Sequence, residues 1–246
     1  MDRLSALMSR FDLIVQPATP DQAHLHIYAR DGQACRLVFS ARAPLPAPRD
    51  DRDLCLAAHV AWGGSDNPML LALPDRVEMA LADMPDGGAL ADVLIQEFET
   101  PRCGGASVLS RLCEVLIVRL LRNQIEAGEM QTGLLGGLAD PRLSRAIVAM
   151  HDRPEHPWRA ETLAREAGLS VSRFAEVFRA AVGTSPNAYL RKWRLSLAKR
   201  DLERGDRVQS VSLRYCYGSP EALSRAIKQA YGQSPLTLRV AVSLPG

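Results

Sequence analysis

Short apolar runs separated by turn residues occupy the first hundred residues of the chain. The runs are rich in Val, Ile, Phe and Tyr and are bounded by Pro, Gly and Asp, a pattern typical of strands rather than helices. We therefore predict a small antiparallel sheet or barrel, with no helix before about residue 105. The predicted strands cover residues 12–16, 23–29, 35–41 and 54–62.

The pattern becomes helical after residue 105. From Leu109 to Ile125, apolar residues recur at spacings of three and four, which predicts one long amphipathic helix that ends near Gly128. A stripe of this kind packs either on its own domain or on a second copy of the chain. The second alternative makes the helix a dimer interface with four candidate contacts: Leu109, Leu112, Leu116 and Leu120.

A glycine-rich segment separates the two halves of the chain. Residues 133–140 contain three glycines shortly before Pro141, and we interpret this segment as a linker. The predicted domains are then residues 1–132 and residues 141–246.

The second half repeats itself at an offset of 49 residues. In each copy, a serine suited to cap a helix precedes an amphipathic pattern, and a glycine suited to end a helix follows it. These residues are Ser170 and Gly183 in the first copy and Ser219 and Gly232 in the second.

A short helix and a tight turn precede each copy, with the short helices predicted over residues 162–167 and 208–215. Two helices joined in this way form a helix-turn-helix motif, whose second helix enters the major groove of DNA. A long helix predicted over residues 187–203 connects the two motifs. The predicted fold class is α+β: a small antiparallel β domain with its long helix, then an all-α domain of two helix-turn-helix motifs.

Charge is distributed unevenly along the chain. Residues 1–140 contain 12 Lys and Arg against 19 Asp and Glu, whereas residues 141–246 contain 18 against 9. The second half therefore suits contact with a polyanion, and the first half does not.

The composition also bears on the cellular location. No apolar run approaches the roughly 18 residues that a membrane span needs, and the first 12 residues lack the apolar block of a secretory signal. We therefore expect a cytoplasmic protein that does not contact a membrane. We interpret the five scattered cysteines as reduced core thiols: Cys35, Cys55, Cys103, Cys113 and Cys216.

The spacing of residues in both motifs resembles a known family. The first motif reads Gly168-Leu169-Ser170-x3-Phe174-x3-Phe178-Arg179-x3-Gly183-x-Ser185-Pro186, and the second reads Ser224-Arg225-Ala226-Ile227-Lys228-x3-Gly232-x-Ser234-Pro235. Residues 141–240 thus resemble the DNA-binding domain of AraC/XylS-type transcription regulators. The resemblance implies a homodimer that binds double-stranded DNA. It also implies a cupin-type N-terminal domain that senses a small-molecule effector and is followed by a dimerisation helix.

The resemblance further implies which side chains contact DNA. Carried over residue by residue, the contacts are Ser172, Ala175 and Glu176 in the first motif and Pro220, Glu221, Ala222, Ser224 and Arg225 in the second. To these we add the neighbouring cations as contacts to phosphate or bases: Arg173, Arg179, Arg191, Lys192, Arg194 and Lys228.

Two residues depart from the family pattern. Glu176 stands where a basic residue is common, and a carboxylate accepts a hydrogen bond from cytosine but repels phosphate. Cys216 stands in place of the turn glycine of the second motif, at a cost of roughly 1 kcal/mol unless Gly218 takes over the turn.

Metal binding and catalysis find little support in the sequence. His24 and His26 lie on one face of a predicted strand, at the spacing that a cupin metal site would use. The further histidine and carboxylate of such a site are not found at cupin spacing, and His59 looks isolated. We expect no catalytic residue, metal or cofactor, and we interpret Trp158 and Trp193 as core residues.

Three functional hypotheses remain. The first is a transcription regulator that binds DNA as a dimer and senses a small molecule. The second is an interaction protein with weakened DNA binding, which acts by pairing with another regulator or with RNA polymerase. The third is a cupin-type metalloenzyme fused to a DNA-binding domain. The first is our interpretation of the sequence.

Overall fold

The computed structural model describes residues 13–48, 52–62, 75–100, 102–127 and 133–241. The chain divides into two compact units between residues 130 and 131. We call these the first unit and the second unit and describe each by itself. No helix in the described ranges is long and apolar enough to cross a membrane.

The first unit contains an antiparallel sheet of five strands in the order β1-β4-β2-β3-β5. The four predicted strands are confirmed within the described residues, and β5 was not predicted. It is only four residues long, which makes its alternating pattern hard to recognise. The strands are β1 (Leu13–Pro17), β2 (Leu25–Arg30), β3 (Gln33–Phe39), β4 (Leu54–Trp62) and β5 (Val77–Ala80).

Two helices pack with this sheet, α1 (Gly87–Glu99) on β3 and β4 and α2 (Gly105–Ala127) on β1. Helix α2 confirms the predicted long helix. The prediction of no helix before residue 105 is wrong, because α1 forms in a segment that begins with glycines. Burial of Ala91 and Leu94 in the core stabilises α1 despite this unfavourable local signal.

The second unit is helical, and both predicted helix-turn-helix motifs are present. The first motif consists of α5 and α6, the second of α8 and α9, and α7 connects them. Trp158 and Trp193 are buried in this unit, as predicted. The helices are α3 (Leu134–Ala139), α4 (Pro141–Asp152), α5 (Ala160–Ala167), α6 (Val171–Val182), α7 (Pro186–Glu203), α8 (Val208–Arg214), α9 (Pro220–Tyr231) and α10 (Pro235–Ala241).

The segment that we predicted as a linker is instead a helix of the second unit. Its leucines Leu134, Leu135 and Leu138 are buried in the core. A Cβ on Gly137 would lie 2.7 Å from side-chain atoms of both Ile147 and Val182. The glycine therefore permits close packing, whereas the sequence pattern suggested chain flexibility.

Candidate nucleic-acid interface

Helices α6 and α9 are built alike and begin 49 residues apart. Each has 12 residues. The hydroxyl of Ser170 accepts a hydrogen bond from the N–H of Arg173 at 3.4 Å, and that of Ser219 accepts one from Ala222 at 3.2 Å. Gly183 and Gly232 end the helices with φ of 81° and 70°. The repeat in the sequence is therefore a repeat of capped helices.

Each of these helices buries one face and exposes the other. Phe174 and Phe178 anchor α6, and Leu223 and Ile227 anchor α9. All the DNA contacts predicted on α6 are exposed, and on α9 the charged ones are exposed while Pro220, Ala222 and Ser224 are half-buried. The exposed ones are Ser172, Arg173, Ala175, Glu176, Arg179, Glu221, Arg225 and Lys228.

The exposed face of α6 carries an ion pair. Arg173 Nη1 lies 2.9 Å from Glu176 Oε2, and both side chains are more than half exposed. The carboxylate therefore offsets the charge of one of the two cations on this face. Arg179, one turn further on, forms no hydrogen bond or ion pair with the described residues.

The exposed face of α9 has a different balance of charge. A hydrogen bond from Ser219 and the nearby cation of Arg225 lower the pKa of Glu221, which therefore stays ionised at neutral pH. The hydroxyl of Ser224 donates to the carbonyl of Pro220 at 2.8 Å, so it offers DNA its oxygen as an acceptor. Arg225 and Lys228 together leave this face with a net positive charge.

Arg194, which we predicted as a DNA contact, is engaged with the protein itself. Its Nε donates to the carbonyl of Pro154 at 2.7 Å, and its Nη2 donates to that of His156 at 2.6 Å. Arg191 and Lys192, in the same turn of α7, are exposed. The structure thus gives Arg194 a role in holding the chain ahead of the first motif.

Cys216 holds the same stretch of chain. It adopts a φ of 59°, and Gly218 has no positive φ, so the cysteine itself makes the turn of the second motif. Its thiol donates to the carbonyl of Glu155, with Sγ and O 2.9 Å apart. This hydrogen bond offsets part of the strain that a side chain brings to the left-handed region.

Burial removes three of the four leucines that we predicted as dimer contacts on α2. Leu109, Leu116 and Leu120 lie in the core of the first unit, and Leu112 is half-buried. The apolar residues that α2 exposes are instead Val108 and Val115, which are 41% and 42% exposed. Helix α2 carries apolar residues on two faces, and the sequence pattern alone does not show which of them covers the sheet.

His59, which looked isolated in the sequence, is a neighbour of His24. The two ring centroids lie 4.7 Å apart, and burial together with the His59 ring lowers the pKa of His24. His26 is fully bonded, because Nε2 donates to the carbonyl of Pro20 at 2.9 Å and Nδ1 accepts from Tyr28 at 3.3 Å. In the described ranges, no three His, Cys, Asp or Glu residues are placed to hold a metal ion.

The five cysteines differ in burial, whereas we predicted that all of them lie in the core. Cys113 is a core thiol, and burial raises its pKa to about 12. Cys103 and Cys216 are exposed, and Cys35 and Cys55 are half-buried. All five are free thiols, but the interpretation of the whole set as core residues is wrong.

Family models match both units. One described as a helix-turn-helix domain matches residues 163–241, and one described as a cupin matches residues 11–126. These two matches correspond to the two parts of the fold class that the sequence predicted.

Several named proteins are similar in sequence. An uncharacterized HTH-type transcriptional regulator of Haemophilus influenzae is 31% identical over 180 residues, which cover 73% of this chain and 60% of that protein. A putative AraC-like transcription regulator of Streptomyces antibioticus is 35% identical over 142 residues, which cover 57% of this chain and 47% of that protein. The HTH-type transcriptional regulator AlkR of Acinetobacter baylyi is 31% identical over 174 residues, which cover 69% of this chain and 57% of that protein.

The chain thus spans 47% to 60% of the length of these relatives. Each is named as a transcription regulator rather than an enzyme, in agreement with the expectation that this chain is not an enzyme. Two capped helix-turn-helix motifs, a cupin-type unit ahead of them and these relatives lead to one conclusion. The chain belongs to the AraC-type family of transcription regulators.

Proposed function

We propose that the chain is a sequence-specific DNA-binding transcription regulator that reads DNA through α6 and α9. The observation that carries this proposal is the pair of 12-residue helices with matching caps and exposed polar faces. The connecting helix α7 has 18 residues. At about 1.5 Å per residue it spans about 27 Å, close to the roughly 34 Å of one turn of DNA.

The two helices contribute unequally to binding. On α9, Arg225 and Lys228 provide cations for guanine or phosphate. On α6, the ion pair with Glu176 occupies Arg173 and leaves Arg179 as the cation for phosphate. Around these charges we propose smaller contacts from Ser172, Ala175, Ala222 and Ser224, with Arg191 and Lys192 of α7 on phosphate.

The first unit provides sensing and pairing in the same proposal. We assign it the recognition of a small-molecule effector and the formation of a homodimer in the cytoplasm. The pairing face combines Val108, Leu112 and Val115 of α2, which lie one helical turn apart and remain wholly or partly exposed. RNA polymerase is the further partner through which such a regulator acts on transcription.

An interaction protein with weakened DNA binding is not favoured. The two helices still expose Arg179, Arg225 and Lys228 despite the acidic substitutions. The named relatives are transcription regulators.

The test is a fluorescence-anisotropy titration of the full chain with DNA from upstream of its own gene and with a scrambled duplex. We expect Arg225→Ala to weaken binding to the upstream DNA by about 1 to 3 kcal/mol, roughly five- to a hundred-fold. Arg122→Ala is the matched control, because it removes the same charge from an exposed position in the first unit. Equal affinity of wild type and Arg225→Ala, or no preference for upstream DNA, would contradict the proposal.

A further inference from the structure

A cleft of about 370 Å³ lies in the second unit, between the start of α7, the chain ahead of the first motif and the turn of the second motif. Three aromatic side chains and several hydrogen-bond donors line it. None of its described lining residues is acidic. The lining residues that matter here are Trp158, Asn187, Arg191, Arg194, Tyr215 and Tyr217.

The guanidinium groups in the cleft have donors available. Arg194 uses one N–H on each of two carbonyls, which fixes the orientation of the group and leaves three of its five N–H donors. Arg191 forms no hydrogen bond or ion pair with the described residues. The cleft therefore holds two cations, one of them already held in place by the protein.

Tyr217 supplies an independent observation. Its hydroxyl is buried and has no hydrogen-bond partner among the described residues. Buried polar groups in folded proteins are almost always hydrogen-bonded, so an orphaned hydroxyl at the wall of a cleft points to a ligand. Burial raises the pKa of Tyr217 even though Arg191 and Arg194 act in the opposite direction, so the hydroxyl keeps a proton to donate.

We propose that this cleft binds a phosphate group, with Arg191, Arg194, Tyr217 and Asn187 as its donors. Guanidinium groups bind phosphate oxygens with paired hydrogen bonds, and the tetrahedral group has enough oxygens for donors that arrive from different directions. Trp158 and Tyr215 provide an aromatic wall for the sugar or ring that the phosphate carries.

Two sources supply this chemistry. One is a backbone phosphate of the DNA held by α6 and α9, and this source rests on the proposed function. The other is a small phosphorylated molecule. In both cases the donors come from α7 and from the turn of the second motif. Phosphate therefore links that motif to the connecting helix and stabilises the spacing of the two reading helices.

The experiment compares the wild-type full chain with Tyr217→Phe and Arg191→Gln. Tyr217→Phe changes no charge, so a general loss of electrostatic attraction does not explain its effect. Tyr231→Phe, outside the cleft, and Arg122→Gln, in the first unit, are the matched controls. Inorganic phosphate is titrated at constant ionic strength and followed by tryptophan fluorescence, since Trp158 lines the cleft. The same proteins are titrated with upstream DNA by anisotropy.

We expect both cleft variants to weaken binding at least fivefold in one of the two titrations, while both controls stay within twofold of wild type. Loss of a saturable phosphate response identifies a small phosphorylated molecule as the source, and loss of DNA affinity alone identifies the DNA backbone. If wild type binds DNA and neither variant changes either titration, the phosphate site is wrong and the proposed function stands. If wild type binds no DNA, the proposed function fails and the phosphate titration still decides the site. Melting temperatures of the two variants confirm that each is folded.

Discussion

The carboxylate of Asp201 in α7 accepts a hydrogen bond from the hydroxyl of Tyr215, which follows α8, with Oδ2 and Oη 2.7 Å apart. Both residues are buried. Arg214 Nη1 lies 2.5 Å from the same carboxylate, and Arg200 Nη2 lies 3.0 Å from its other oxygen. This network attaches the first helix of the second motif to the connecting helix, and so it orients α9.

Acid should weaken this attachment. Burial alone raises the pKa of Asp201, but the hydrogen bonds from Tyr215, Arg214 and Arg200 outweigh it, and the pKa lies below its ordinary value. A carboxylate of this kind stabilises the folded state above its unfolded pKa of about 4, and the stabilisation is lost as pH falls through the folded pKa. We expect Asp201→Asn to lower the free energy of unfolding by about 2 kcal/mol at pH 7, since it removes a buried charge whose arginine partners are only partly buried.

Denaturant unfolding followed by circular dichroism at pH 7 and pH 3 measures this effect. The difference between wild type and Asp201→Asn should shrink at pH 3. Asp92→Asn, at an exposed position of α1, is the control and should change little at either pH. A difference that does not depend on pH would show that the network is not ionised in the way described.

Glu176→Arg should increase general affinity for DNA. The change removes the partner of Arg173 and adds a cation, so two positive charges replace an ion pair on the exposed face of α6. The slope of log affinity against log salt should steepen by about one or two units on a scrambled duplex. Anisotropy titrations at several salt concentrations measure the slope, with Glu126→Arg in the first unit as the charge control. An unchanged slope would place α6 away from DNA.

Substitutions on the two faces of α2 should affect different properties, folding on the buried face and dimerisation on the exposed face. Leu116 is fully buried, so Leu116→Asp should destabilise the first unit by at least about 3 kcal/mol. Val115 is exposed, so Val115→Asp should leave the unit folded and, on the proposed pairing face, separate the dimer. Sedimentation velocity and circular dichroism distinguish these results. A folded, monomeric Leu116→Asp protein would instead support the dimer interface that we predicted from the sequence.

Alanine and glycine at position 216, in the turn of the second motif, should give proteins of different stability. Cys216→Ala keeps a Cβ at a positive φ and removes the hydrogen bond from the thiol to the carbonyl of Glu155. Cys216→Gly removes both this hydrogen bond and the backbone strain that a Cβ causes at this φ. We therefore expect the glycine variant to be about 1 kcal/mol more stable than the alanine variant. Chemical denaturation measures the difference, and Cys103→Ala is the exposed control. Equal stabilities would mean that this backbone position is not strained.

The helix-turn-helix motifs were predictable because their signals are local. Capping serines, terminal glycines and the helical spacing of apolar residues all act within one helix and its ends. In the structure, α6 therefore begins after Ser170 and ends before Gly183, as the pattern indicated. The strands β1 to β4 of the first unit were predictable for a similar reason, since alternating apolar and polar residues between turn residues indicate a strand without reference to its partners.

The remaining features depend on contacts between residues far apart in the sequence. Gly137 belongs to a packed helix because Ile147 and Val182 approach it closely, and α1 forms because the core buries Leu94. Burial in the first unit likewise selects one of the two apolar faces of α2. The sequence by itself determined which segments of the chain are helices of the two motifs. Only the tertiary structure decided that Arg194 and Cys216 together hold three consecutive carbonyls, those of Pro154, Glu155 and His156, because these residues meet only when the second unit folds.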